Sequence, residues 1–293
     1  MKRRIATLAL SVAFSAAPAL AAELPWQVQL PFKEATIQYE LKGAEQGTEI
    51  LYLKDHGKLR AKHHKATTTV MGQSTRTDTI ELTDPDWVTV YDLADKTGSR
   101  FTNPSKLYMT EYTKLTGAEK ANVEKNAKQM GAAMMGQMGG SVKPCSEKMM
   151  GYDCDVTTIG GMSSVYLLRG SDIPLRSEVS IMGMKNSVNA TRIDTTSAVP
   201  ASAFTPPADI TVKTDHETEA MMAQSVRQMM DTLKRPDGVE SLKKQAGGLI
   251  PPGVLPPGSA GDGPGLSKEE QAQMEQEMKK SLEQLKQMMP QQK

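Results

Sequence analysis

Glu34-Ala35-Thr36-Ile37-Gln38-Tyr39-Glu40-Leu41 decides the architecture of this chain, because its side chains alternate. Ile37, Tyr39 and Leu41 fall on one side of an extended backbone and Gln38 and Glu40 on the other, the period-2 pattern of a strand with one dry face. Outward from it the pattern repeats. Residues 48–54 form a second strand, Asp55-His56-Gly57-Lys58 a hairpin turn, and residues 59–64 a third strand. Residues 65–71, rich in Thr and Val, and 76–82 follow. Trp87, Thr89, Tyr91 and Leu93 then share one side of a further strand, with Val88 and Val90 on the other. Strands of this length and spacing predict a meandering sheet.

The strand pattern breaks at Asn103-Pro104. Thr116-Gly117-Ala118-Glu119 has the form of a capping box, and Val123, Ala127, Met130, Met134 and Met138 recur at steps of three and four. That spacing predicts a helical insertion over residues 116–138, fading at Gly139-Gly140. Strands resume at 153–159, 163–168, 175–182 and 185–194, punctuated by Gly160-Gly161, residues 170–174 and Gly183. Val199-Pro200 and Phe204-Thr205-Pro206-Pro207 close the β region. Thr214-Asp215-His216-Glu217 opens an amphipathic helix over 214–235, with Met222, Val226, Met229 and Leu233 on one stripe. Residues 236–266 read as a Pro/Gly-rich linker, and 267–293 as a C-terminal amphipathic helix carrying Met274, Met278, Leu282, Leu285 and Met289. The fold class expected is mainly β (α+β): a curved antiparallel sheet or incomplete barrel, with covering helices and a helical C-terminal extension.

Composition narrows the function. The 293 residues hold 35 basic and 34 acidic side chains, a balance that gives no electrostatic reason to expect nucleic-acid binding. Aromatics are only 4%, so Leu, Ile, Val and the 20 Met must fill the core. Beyond the N-terminus no apolar run reaches about 18 residues, which argues against a chain with several membrane spans. Met1-Lys2-Arg3-Arg4, an apolar stretch to about Ala17, and Ala19-Leu20-Ala21 make the three-part pattern of a Sec-type signal peptide. Cleavage is expected after Ala21 or Ala22, leaving 32 basic against 34 acidic residues. Periplasmic localisation follows as an expectation. In an oxidising compartment Cys145 and Cys154, with eight residues between them, are expected to form a structural disulfide, worth roughly 2.5–3 kcal/mol for so short a loop.

Several short motifs now line up. The signal peptide precedes a first strand containing Tyr39, and a hairpin follows with Gly57-Lys58-Leu59-Arg60. Later comes a hairpin from Cys145 to Gly151-Tyr152-Asp153-Cys154, then Ile173-Pro174-Leu175-Arg176, a strand ending in Thr191-Arg192-Ile193, and finally Val199-Pro200 with Phe204-Thr205-Pro206-Pro207. Together they resemble the periplasmic LolA/LolB-like lipoprotein-carrier superfamily, in a little-characterised branch of it, over about residues 33–213. The resemblance implies a strongly curved antiparallel sheet whose concave face is covered by helices, with a hollow that shelters acyl chains. An acyl chain in water costs about 0.8 kcal/mol per CH₂, which is the reason such a hollow is useful. The chain departs from the carriers in its Met-rich insertion at 116–138, its long tail after 213 and its few aromatics.

Catalytic motifs are incomplete. Gly161-Met162-Ser163-Ser164-Val165 lacks the final Gly of a nucleophile elbow, and His216-Glu217-Thr218-Glu219-Ala220 has Ala where a zinc-binding helix needs its second His. The expectation is a protein that is not an enzyme and has no cofactor or metal site. His56 sits in a turn, and His63 and His64 must point to opposite faces of a strand; all three are expected at the solvent-exposed surface. The Met clusters suit a soft Cu(I) ion, but they fall on stripes shared with Val, Ala and Leu, which is the pattern of a packing face. The leading function is therefore a non-catalytic binder or carrier of an apolar or lipidated ligand. Its expected contacts are Ile37, Tyr39, Leu41, Trp87, Tyr91 and Leu93 on one sheet face, with Met130, Met134 and Met138 on a covering helix. The alternatives are an envelope interaction or structural protein that recruits a partner through its C-terminal helices, and a Met-rich Cu(I) binder.

Overall fold

The structure, a computed structural model, describes Leu24 and residues 30–70, 72–137, 140–159, 163–181 and 184–241. It is mainly β. Twelve strands form one sheet, in the order β12-β6-β5-β4-β3-β2-β1-β11-β10-β9-β8-β7. The first six are Ala35–Lys42 (β1), Glu45–Lys54 (β2), Leu59–Val70 (β3), Gln73–Thr83 (β4), Trp87–Asp92 (β5) and Thr97–Thr102 (β6). They step in sequence toward one edge. The helices Pro104–Thr113 (α1) and Gly117–Gln137 (α2) follow. The chain then re-enters at the opposite edge as Gly140–Met149 (β7) and walks inward through Tyr152–Ile159 (β8), Ser163–Leu168 (β9) and Pro174–Ile181 (β10). Met184–Asp194 (β11) ends this walk against β1. Val212–Thr214 (β12) then lies parallel to β6, and His216–Leu233 (α3) follows.

The sheet is not closed into a barrel, but it curls. Strands in a sheet lie about 4.8 Å apart, so β3 and β9, five places distant, would be about 24 Å apart if the sheet were flat. Yet the Arg60 guanidinium on β3 donates to both carboxylate oxygens of Asp172, in the β9–β10 connection, at 2.7 and 3.0 Å. Curvature has brought the two halves of the sheet together.

Two separate cores result. One joins Ala35, Ile37 and Tyr39 of β1, Leu53 of β2, Cys154 of β8, Leu168 of β9 and Leu175 of β10, with Leu30 and Ile173 laid over them from flanking segments. The other is helical: Val123 of α2 packs with Val226, Met230 and Leu233 of α3, and Leu107, Tyr108 and Tyr112 of α1 border it. Asn126, buried on α2, donates to the carbonyls of Leu233 and Arg235 at 2.8 and 2.7 Å and so satisfies the C-terminal end of α3.

The structure corrects the sequence reading in several places. The sheet is mixed rather than wholly antiparallel, because β12 pairs parallel with β6. The strands expected at 59–64 and 65–71 are one continuous β3. α1, β6 and β12 have no counterpart in the expected elements, while the hairpin expected from Cys145 to Cys154 is the β7–β8 pair. Residues 238–241, placed in the linker by composition, are helical, and Val239 is buried. The Pro/Gly stretch from 242, the C-terminal helix at 267–293, the signal peptide and Met138 lie outside the described residues.

The expected disulfide is absent: Cys145 is an exposed free thiol and Cys154 a buried one. The pairing explains this. A bulge between Lys143 and Glu147 sets Glu147, not Cys145, opposite Cys154. Cys145 sits within that bulge at φ 48°, its N–H held by Asp155 Oδ1 at 2.9 Å. Burial pushes the Cys154 thiol up from its ordinary pKa.

Candidate functional site

A cleft of about 700 Å³ opens between α1 and the sheet. Its sheet wall follows from the register. Leu53, Arg60, Thr83 and Val88 are successive partners across β2, β3, β4 and β5, and so are Leu51, Lys62, Glu81 and Val90. Direct partners in an antiparallel ladder share a face. Arg60, Glu81, Thr83 and Val88 from these rows line the cleft, opposite Met109, Thr110 and Thr113 of α1.

Local sequence fixes where α1 stands. Asp84 Oδ1 accepts from the N–H groups of Asp86 and Trp87, folding the β4–β5 turn. Asn103 then ties helix to turn. Its Oδ1 caps α1 by accepting from Ser105 N–H at 2.9 Å, while its Nδ2 donates to Asp84 O at 2.6 Å. Pro104 at the first helical turn has no N–H left to satisfy. Lys106 completes the joint with an ion pair to Asp86 at 2.6 Å.

The charges around the cleft are paired with one another. Besides Lys106–Asp86 there are Arg60–Asp172 and, on the neighbouring row, Lys62–Glu81 at 3.1 Å. Arg60 Nε also donates to Gly57 O at 3.0 Å. Gly57 has φ +88°, at the end of a turn whose Asp55 and His56 are also left-handed, and a side chain there would meet Leu30. Between the ion pairs an apolar part of the lining, Val88, Met109, Pro85, Pro104 and the buried Leu24, alternates with the hydroxyls of Thr83, Ser105, Thr110 and Thr113. A site with an apolar floor and a ring of fixed charges suits an amphipathic ligand. A second hollow, of about 840 Å³, lies across β1 and β8–β11. It is larger, but Lys42, Ser187, Glu178, Ser164 and Thr158 make up one row of it, so it offers hydrogen bonds rather than an apolar floor.

The expected ligand residues divide between sites. Ile37, Tyr39 and Leu41 are buried on β1, on the same sheet face as the cleft but outside its lining. Trp87 and Tyr91 do not join them. Ile37 is linked through Leu51, Lys62 and Glu81 to Val90, so Tyr91, the next residue, points to the opposite face. Alternation along β5 was read correctly, but the face it presents to β1 depends on three intervening registers. Leu93 follows β5, its N–H bonded to Asp78 O at 2.9 Å. Met130 borders the helical core, and Met134 lies within α2. The residues that sequence reasoning missed are those of α1 and the β4–β5 turn. The Asn103-Pro104 signal was noticed only as an end of strands, although Asn before Pro is also a helix start.

The three histidines expected at the surface are instead tied into the fold. His56 Nδ1 meets Leu30 O at 3.0 Å, and His63 Nε2 meets Ala203 O at 2.9 Å. On the opposite face from His63, His64 lies between Glu49 at 3.0 Å and Glu45 at 3.2 Å, one carboxylate at each ring nitrogen. Glu49 is in turn the register partner of Tyr39. Burial, with Glu49 and Asp172 nearby, pushes the Tyr39 phenol well above its ordinary pKa, and its hydroxyl is buried without a hydrogen-bond partner. The two ring nitrogens of His64 point to different carboxylates, and among the described residues no three His, Cys, Asp or Glu side chains are placed to hold a metal ion. Among the described residues, too, no helix is long and apolar enough to cross a membrane.

No protein-family model matches the chain, and no curated protein matches it. Among solved structures it is similar to an uncharacterised conserved protein from Thermus thermophilus, with 11% identity over 61% of this chain and 90% of that one, at a TM-score of 0.35. It is similar to MucB with 10% identity over 64% of this chain and 61% of that one, at a TM-score of 0.31. With PNGF-II the identity is 12% over 66% of this chain, which spans one third (33%) of that protein, at a TM-score of 0.29.

Proposed function

We propose that this chain is a non-catalytic protein of the periplasm that binds or carries an apolar or lipidated ligand in the cleft between α1 and the sheet. The observation that carries this reading is the cleft itself: about 700 Å³, floored by Val88, Met109 and Pro85 and bordered by the ion pairs of Arg60 and Lys106. Its apolar floor takes hydrocarbon out of water, and its fixed charges suit the polar end of the same molecule. The resemblance of residues 33–213 to the LolA/LolB-like carriers supports the same reading, since those carriers shelter acyl chains in a curved sheet.

Native mass spectrometry of the protein, expressed with its own signal peptide and purified from periplasm, tests the proposal. The expected result is discrete added masses that extract into organic solvent as lipid. Titration with a dansylated undecanoic acid adds a site-specific readout. Met109→Glu places a charge on the helical wall and is expected to weaken probe binding at least tenfold with an unchanged thermal melt. A clean mass and no probe binding by the wild-type chain overturn the reading.

A further inference from the structure

We propose that the cleft selects a single-chain lipid whose headgroup sets an anion beside a primary ammonium, and that the Arg60–Asp172 pair opens to receive both. This rests on the reading of the cleft as a ligand site and names the chemistry of the ligand's polar end. The charge of the lining carries it. Lys58, Arg60 and Lys106 stand against Glu81, Asp86 and Asp172, so the wall itself has no net charge. The three carboxylates are ion-paired, with Lys62, Lys106 and Arg60 in turn. Such a wall neither attracts nor repels a headgroup by overall sign. What it offers is opposite charges side by side. A hollow of about 700 Å³ is of the size that takes one small amphiphile.

Arg60 and Asp172 are placed for exchange. Arg60 aims Nη1 and Nη2 at Oδ2 and Oδ1 of Asp172, at 2.7 and 3.0 Å, a two-pronged geometry that a phosphate also accepts. Its Nε is held separately by Gly57 O at 3.0 Å, so the guanidinium keeps its position when its partner changes. Among the described residues the Asp172 carboxylate has no hydrogen-bond partner but Arg60, and its side chain is 66% exposed. A pair so exposed is held weakly, and opening it costs little. Once a ligand covers the site, each opened charge is cut off from water and needs a new partner. A phosphate alone satisfies Arg60 and strands Asp172, and an ammonium alone does the reverse. A head that carries both charges satisfies both residues. A primary ammonium also has the N–H donors that a carboxylate accepts, which a quaternary one lacks. An uncharged head leaves the pair closed and gains nothing from it.

The test is displacement of dansylated undecanoic acid from the full-length protein by amphiphiles with the same lauryl chain and different heads. They are lysophosphatidylethanolamine, lysophosphatidylcholine, lysophosphatidylglycerol, monolauroylglycerol and dodecylamine. Lysophosphatidylethanolamine is expected to displace the probe at a concentration about fivefold lower than any of the others. Asp172→Asn keeps the shape of the side chain and removes its charge. In that variant lysophosphatidylglycerol is expected to bind about threefold more tightly than to the wild type, and lysophosphatidylethanolamine to lose its lead. A gain of binding cannot come from a damaged fold, and if the variant does not fold, the wild-type ranking decides. Any other head that displaces as well as lysophosphatidylethanolamine in the wild type overturns the headgroup inference and leaves the ligand site standing. A lead unchanged in Asp172→Asn overturns the part given to the ion pair. Failure of the probe and of all five amphiphiles to bind the wild type, read by calorimetry, instead overturns the ligand reading itself.

Discussion

Tyr39 shows how far one residue can be read. Alternation in residues 34–41 placed it on the dry face of β1, and it is 3% exposed in the core. What alternation does not carry is the fate of its hydroxyl, because that depends on Glu49 across the strand pair and on Asp172 from the far side of the sheet. The hydroxyl is buried without a partner, and such a group costs about 1–3 kcal/mol. Tyr39→Phe removes the cost and leaves the ring in place. We expect urea unfolding to show a chain at least as stable as the wild type, and more stable by about 1 kcal/mol. A loss of that size would mean that the hydroxyl is bonded. The same limit applies to His63 and His64. Their opposite directions were legible from strand geometry, but the carboxylates and the carbonyl that hold them were not.

At the scale of elements, the sequence was most informative where one signal sufficed. The Thr116–Glu119 capping box is real: Thr116 N–H and Oγ1 both reach Glu119 Oε2, at 2.9 and 2.8 Å. The helix it opens was placed correctly at its start. Elements without a periodic signature were lost. β6, with Gly98 and Ser99 at its centre, carries no apolar stripe, and α1 is a ten-residue helix with no fully buried side chain. β7 is exposed along most of its length, so burial imposes no pattern on it, and only its hairpin with β8 was legible. α3 was found through its stripe, yet what closes it comes from another helix. Asn126 on α2 bonds the carbonyls of Leu233 and Arg235, a contact between positions more than a hundred residues apart. Asn126→Ala should destabilise the protein by about 1–3 kcal/mol, since it removes the Asn126 bond to the carbonyl of the buried Leu233, while Arg235 O keeps the Gly238 N–H at 3.2 Å. Amide exchange near the end of α3 should quicken in the same variant, and protection equal to the wild type would remove Asn126 from this role.

On the scale of the whole molecule, the candidate site is a product of topology. β6 and β7 are consecutive in the chain, but ten places apart in the sheet, about 48 Å if it were flat. α2, with 21 residues, is about 32 Å long. α1 and α2 together make that crossing, and the cleft lies where α1 begins it. None of this was legible from local pattern, because strand order is set by pairings between distant segments. Arg60–Asp172 spans the curl, with side chains 32% and 66% exposed. Exposure limits its value: a double-mutant cycle on Arg60→Ala and Asp172→Ala should give a coupling of about 0.2–1 kcal/mol by chemical denaturation. A coupling of several kcal/mol would show that the pair, rather than the two cores, sets the curvature.

The pairing of β1 with β11 also governs how this molecule must assemble. Thr36 meets Asp194, so the central seam of the sheet joins positions about 160 residues apart. Each meander can form by hairpin steps between neighbours, but the seam has to wait for both. Closing so long a loop is slow, and contacts of this range raise the contact order and lower the folding rate. Until the seam closes, the first strand presents Ile37, Tyr39 and Leu41 beside a row of unpaired backbone groups. A strand whose Ala35, Ile37, Tyr39 and Leu41 are all buried in the finished sheet is thus an adhesive edge of the unfinished one, and the nascent chain needs shielding there for as long as its latter half is still arriving.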